Sequence, residues 1–168
     1  MDKRGVSDIV AAVLIIFLTV GAGIFVYSFI MPYIKTETSV SQECYYAEIG
    51  ILDGDYTYYN STTNEIYVQV LRGNRETELS GMQIRLSGGG DSVIVEVREG
   101  PSTSVLRELG ETTISLPGIE ETRTYVIDLD VLGIIINDSN VVEIAPIVRL
   151  GNKESICNIR DETVLETN

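Results

Sequence analysis

Residues 9–30 read IVAAVLIIFLTVGAGIFVYSFI, an uncharged run in which Thr19 and Ser28 are the only short polar side chains. As a helix rising about 1.5 Å per residue it reaches roughly 33 Å, enough to cross a hydrocarbon layer of about 30 Å. Leu, Ile, Val and Phe fall on every side of its helical wheel, so no polar stripe is left to face water. Such a helix is buried all round, in lipid or among copies of itself. It is not the surface helix of a small soluble domain.

The flanks set its direction. Lys3 and Arg4 precede the run and a long acidic segment follows it, which favours an inside N-terminus and an outside C-terminus. No small-residue cleavage site ends the run, and it is longer than the apolar part of a secretory signal peptide, so cleavage after the helix is not expected. Gly21 and Gly23, with Ala22 between them, lower helix propensity but let neighbouring backbones approach closely; ordinary tolerance of Gly in membrane helices is the alternative. Pro32 predicts a kink or a boundary, and Tyr27, Tyr33 and Lys35 are interface-type residues near that end.

Lys3-Arg4-Gly5 followed by Val6-Ser7-Asp8 and then the apolar run resembles the class III signal peptide of archaeal type IV pilins. The likeness is close over about the first 30 residues. It implies that a prepilin peptidase removes residues 1–5 by cutting between Gly5 and Val6, with Lys3 and Arg4 as the basic leader residues. The helix over residues 6–35 is then kept, anchors the subunit in the membrane, and later packs with its copies in a filament core. Ile9, Val13, Ile16, Phe17, Val20, Gly21, Gly23 and Phe25 are the packing residues this implies. Archaellins share the leader and helix, but usually carry Gly-Ile-Glu or Gly-Leu-Glu just after the cut. Here Ser7-Asp8-Ile9-Val10 stands there, and Val10 occupies the fifth mature position in place of Glu, which places the chain nearer the pilins. Asp8 is either an ordinary first-turn helix residue or the partner of a neighbour's new amine.

The rest of the chain differs in kind. Lys3, Arg4 and Lys35 stand against Asp2 and Asp8 in residues 1–35, leaving a net −14 for residues 36–168 out of −13 overall. That balance argues against a nucleic-acid partner. The chain contains no histidine, which removes the commonest general base and metal ligand together with any Ser-His-Asp or Cys-His arrangement. An enzyme is not expected, nor is a cofactor or a metal site.

Beyond residue 44 short apolar alternations are broken by Gly, Asn, Asp and Pro, the pattern of an all-β domain. Seven strands are predicted: 45–52, 65–71, 82–86, 92–98, 112–116, 122–129 and 141–150. Seven suit a β-sandwich, and residues 66–71 and 79–86 are similar in style to the immunoglobulin-like domains of archaeal pilins and archaellins. The fold class expected is therefore α+β, with a long N-terminal hydrophobic helix followed by an all-β, immunoglobulin-like sandwich over residues 36–168. The apolar stretch 129–136 reads as helix or strand.

Cys44 and Cys157 bracket nearly all of this domain. Outside the cell a disulfide between them is expected, two buried free thiols being the alternative. Asn60-Ser61-Thr62 and Asn137-Asp138-Ser139 fit the N-glycosylation pattern. Asp53-Gly54-Asp55 lacks the later Gly and Glu of a calcium loop and reads as a solvated turn, while Gly88-Gly89-Gly90 lacks a P-loop Lys and reads as a hairpin. Glu120-Glu121 and Glu162 with Glu166 are acidic pairs that nothing in the sequence fixes as catalytic. Tyr45, Tyr46, Tyr56, Tyr58, Tyr59 and Tyr67 cluster early in the domain, either for subunit contact and adhesion or for packing.

Together these features predict a subunit of a surface filament whose partners are copies of itself, a prepilin peptidase, an assembly ATPase with its membrane platform, and the membrane before assembly. The rival is a single-pass anchored binding domain that never polymerises, with archaellin as a further alternative.

Overall fold

The computed structural model describes residues 3–88, 90–133 and 141–167. They fall into two compact units, Met1–Ser39 and Val40–Asn168.

The first unit is helical. Helix α1 spans Lys3–Phe25, a wider π-helical turn spans Val26–Ile30, and α2 runs from Met31 to Tyr46 across the boundary between the units. Thr19 turns its hydroxyl back onto the Ile16 carbonyl at 2.9 Å, so its polar group is satisfied inside the apolar helix. Phe25 and Phe29, one turn apart, hold their rings 4.8 Å apart. The boundary expected at Pro32 is a change of helix type and not an end: the π turn closes at Ile30 and α2 opens at Met31, with Pro32, which has no N–H to donate, one residue inside it. The slip in hydrogen-bond register lies just before it, in the π turn.

The helix continues well past residue 35, the limit set by hydropathy. Residues 36–46 are too polar to extend the apolar run, yet they remain helical, and Ser39 Oγ donates to the Lys35 carbonyl at 2.9 Å. Tyr45 and Tyr46 therefore belong to a helix and not to the strand their aromatic character suggested. The Ala47 N–H still reaches the Glu43 carbonyl at 2.9 Å before the chain turns into the sheet.

The second unit is a sandwich of mostly antiparallel strands. In chain order these are β1 (Ile49–Ile51), β2 (Tyr58–Asn60), β3 (Glu65–Arg72), β4 (Leu79–Gly88), β5 (Asp91–Val97), β6 (Gly100–Pro101), β7 (Leu106–Glu108), β8 (Thr113–Ile114), β9 (Thr122–Asp128), β10 (Val141–Leu150), β11 (Lys153–Ile156), β12 (Asp161–Val164) and β13 (Glu166–Thr167). The first sheet runs β13-β2-β3-β9-β7, with β1 paired to β3 beyond β2; the second runs β11-β10-β4-β5, with β12 also on β10; β6 and β8 form a small ribbon.

Alternation builds the core. Ile66, Val68 and Val70 of β3 and Tyr125 and Ile127 of β9 point inward from the first sheet. Met82, Ile84 and Leu86 of β4, Val95 and Val97 of β5, and Val142 and Ile144 of β10 meet them from the second. Leu165, buried between β12 and β13, marks where the chain passes from the second sheet to the first. Asp161 ties the layers from the same end, accepting the Ile51 N–H at 2.8 Å. The β4–β5 hairpin pairs inward from Gly88 and Asp91, as the triple-glycine reading expected.

More strands are present than the seven expected. Those missed, β2, β6, β7, β11, β12 and β13, have two to four residues each, too short for a period of two to register. The ambiguous 129–136 stretch opens as a helical turn, α3 (Leu129–Leu132), capped by Asp128, whose carboxylate accepts the Asp130 and Val131 N–H groups at 2.9 and 3.3 Å. Its continuation, with Asn137, lies outside the described residues.

Candidate functional site

The most distinctive surface is α1 with the π turn. Ile9–Ile30 has mean hydropathy 2.9 and none of it is buried within the chain, so by length and composition it is able to cross a membrane. Ile9, Val13, Ile16 and Val20 recur three and four residues apart and share one stripe. Phe17 and Phe25 are also exposed, and a Cβ added at Gly21 or Gly23 meets nothing within 4 Å. Lys3, Arg4, Gly5 and Val6 have helical backbone at the start of α1. Thus the residues expected to form the leader and the packing face all fall on α1, and among the described residues none from Ile9 to Phe25 is buried.

At the start of the second unit Cys44 and Cys157 are joined by a disulfide that closes a separation of 113 residues. Ala47, Val148 and Cys157 pack together with Cys44 against them. Arg160 donates to the Cys44 carbonyl oxygen, which gives an exposed helix-end acceptor a charged donor. The last turn of α2 is thereby fastened to the β domain.

The tyrosines differ in what they touch. Tyr58 and Tyr67, opposite each other on β2 and β3, stack with centroids 4.8 Å apart and planes within 4°. Tyr67 also donates to Glu65 at 3.1 Å, and burial, then that hydrogen bond, raise its phenol above the ordinary value. Tyr59 packs on the core and donates to Asn64. These three serve packing. Tyr46 lies under the Arg75 guanidinium at 5.0 Å, whereas Tyr45 and Tyr56 stay exposed. Asn60 ends β2, and its Oδ1 accepts from the Thr62 and Thr63 N–H groups at 2.9 and 3.3 Å, an Asx turn within the glycosylation triplet.

The acidic motifs are dispersed or engaged in ion pairs. Asp53 and Asp55 are exposed around a single 3₁₀ turn, Gly54–Tyr56. Glu162 lies on β12 of the second sheet and Glu166 on β13 of the first, so that pair is split between layers. Among the described residues no group of three His, Cys, Asp or Glu side chains is arranged to hold a metal. Glu121 instead accepts from the Gly118 N–H at 2.6 Å and from Arg123 at 2.7 Å.

The buried charge that sequence reading missed is Glu108, on β7. Arg123 donates to its Oε1, and the Ser115 N–H reaches its Oε2 at 2.8 Å. Tyr125, at the bottom of the same cluster, donates to the Ser115 carbonyl at 2.6 Å, and its burial pushes the phenol well above its usual range. A lone Glu in Leu-Arg-Glu carries no signal that separates it from a solvated one.

The Gly118 N–H, then Arg123, hold the Glu121 carboxyl below its usual range, and Arg149, then Arg98, do the same for Glu154. A carboxylate whose folded pKa is depressed contributes stability above its unfolded pKa, and loses it as pH falls through the folded value. The urea midpoint is therefore expected to fall as the pH drops below about 4.5, the ordinary value of a Glu carboxyl. That fall should shrink in a Glu121→Gln/Glu154→Gln variant; an identical pH profile in the two proteins would remove these carboxylates from the account.

No protein-family model matches the chain, and no curated protein matches its sequence.

Proposed function

We propose that the chain is a structural subunit of an archaeal type IV pilus-like surface filament, serving adhesion or attachment, with packing rather than catalysis as its task. The observation that carries the reading is a wholly exposed apolar helix, long enough to span a bilayer, in the same chain as a separate, well-cored and acidic β-sandwich. The leader-like Lys3-Arg4-Gly5-Val6 directly before the run supports it.

In this reading monomers wait in the membrane with the N-terminus inside and the sandwich outside. A prepilin peptidase trims residues 1–5, and an assembly ATPase on a membrane platform moves subunits into the filament, where helix contacts replace lipid contacts. The exchange yields little hydrophobic energy, since lipid tails are as apolar as Leu; close backbone approach and van der Waals packing decide it. Heterologous contacts that do not close generate a helix of subunits.

The test is the N-terminal peptide of the protein recovered from sheared surface material. A start at Val6 supports the filament subunit. A persistent Met1 or Asp2, found only in membranes, favours instead a non-polymerising anchored domain. Gly21→Leu adds bulk where the helix surface is open, so it should lower filament yield severalfold while membrane insertion stays normal; wild-type piliation in that variant would refute a packing role for Gly21.

A further inference from the structure

The outer face of the second sheet gathers exposed apolar side chains from four separate stretches of sequence. Ile94 of β5 stands in one cross-strand row with Arg85 of β4, Glu143 of β10 and Glu162 of β12. Val164 of β12 heads the next row on the same face, and Ile156 of β11 stands opposite Ile147. Ile94, Ile156, Ile159 and Val164 are 55, 57, 45 and 61 % exposed. The first three line a groove of about 260 Å³ together with Ala145 and the Arg85–Glu143 ion pair.

Charge sets this face apart from its surroundings. Residues 1–39 balance three cations with three carboxylates, so the whole net charge of −13 falls on residues 40–168, which hold nine cations. Three of the nine, Arg85, Arg98 and Arg149, lie on this face and are paired there, Arg85 with Glu143 at 3.2 Å and the other two with Glu154 at 3.0 and 2.7 Å. The result is a near-neutral apolar patch on a strongly acidic domain.

We infer that this face docks against the β domain of a second copy of the chain. Two bodies of the same large negative charge repel wherever their acidic surfaces meet. They approach at lower electrostatic cost through this face, where Arg85, Arg98 and Arg149 offset three of the four carboxylates Glu96, Glu143, Glu154 and Glu162, burying aliphatic surface as they do so. A cationic partner would be drawn to the uncompensated acidic surface instead. The inference rests on the filament reading for its driving concentration: subunits joined by their helices hold their β domains together at high effective concentration, so a modest interface is sufficient.

The experiment places the photoreactive amino acid p-benzoylphenylalanine at position 94 of the full chain, with position 109, exposed on the loop after β7, as the reference. Irradiation of surface material is expected to give a covalent homodimer from position 94, severalfold more than from position 109, with both linked peptides inside residues 40–168. Val164→Glu in the same chain should lower that yield severalfold. Filaments that start at Val6 but give no homodimer from position 94, or only adducts with lipid, glycan or another protein, overturn the docking while leaving the filament reading intact. Material that starts at Met1 and stays in the membrane fails the filament reading; a position-94 homodimer there still supports the docking face, and its absence overturns that too.

Discussion

Replacing Cys44 and Cys157 together by Ala is expected to destabilise residues 40–168 by about 4–5 kcal/mol, the figure chain entropy gives for a loop of this size. The bridge closes 113 residues, nearly the whole β domain, so its loss restores conformational freedom to almost the entire unfolded domain. Small domains are stable by about 5–15 kcal/mol in total, so the loss is a large share. A packing effect adds to it, because Cys157 and Cys44 sit on a small cluster with Ala47 and Val148 apart from the main core. The last turn of α2 loses its covalent hold and keeps only contacts such as the Arg160 bond to the Cys44 carbonyl. The measurement is urea unfolding followed by far-ultraviolet circular dichroism, since the chain has no tryptophan. Reduction of the unaltered protein should reproduce the shift. An unchanged midpoint after full reduction, with alkylation proving that the thiols were freed, would mean that the bridge contributes nothing.

What the sequence discloses depends on how long a pattern runs. The apolar helix is legible because 22 residues without a charge admit one physical reading. Strand β3 is legible because it alternates three times with Ile66, Val68 and Val70 inward, and β9 and β10 because each is a long apolar run rich in β-branched residues. β6 and β13, two residues each, carry no period at all and exist through pairing alone. Tyr45 and Tyr46 show the opposite failure. Their intrinsic preference is for strands, but the turn they complete is pinned by the neighbouring Cys44, a tertiary constraint that no local window contains. The face bearing Ile94, Ile156, Ile159 and Val164 is hidden for a related reason: strand register brings Ile94, Ile156 and Val164 onto one face, and Ile159 joins them from the loop between β11 and β12. Residue types at fixed spacing disclose the helix, whereas surfaces assembled across a sheet need the register itself.

Glu108→Ala is expected to destabilise the β domain by about 2–4 kcal/mol, because it strips the half-buried Arg123 of its inner partner and the Ser115 N–H of its acceptor. Glu108 is only 6 % exposed, and its two oxygens are both used, one by Arg123 and one by the Ser115 N–H. Truncation leaves that N–H without its acceptor and leaves Arg123 to Glu121, whose side chain is far more exposed. Water then screens the remaining pair, and the guanidinium edge facing the interior is uncompensated. Glu121→Gln separates the terms, since it weakens the solvent-side contacts and leaves Glu108 in place, and it should shift stability much less than Glu108→Ala. Tyr125→Phe tests the floor of the cluster. It keeps the ring in the core, loses the bond to the Ser115 carbonyl, and should destabilise by about 1 kcal/mol. Because Arg123, Glu108 and Ser115 share partners, the Glu108→Ala/Arg123→Met double variant should be less destabilised than the sum of its single variants, the buried charge having been removed with its counterion. Equal or greater loss in the double variant, or a Glu108→Ala midpoint within error of the parent, would show that the ion pair is not what holds β7 to β9.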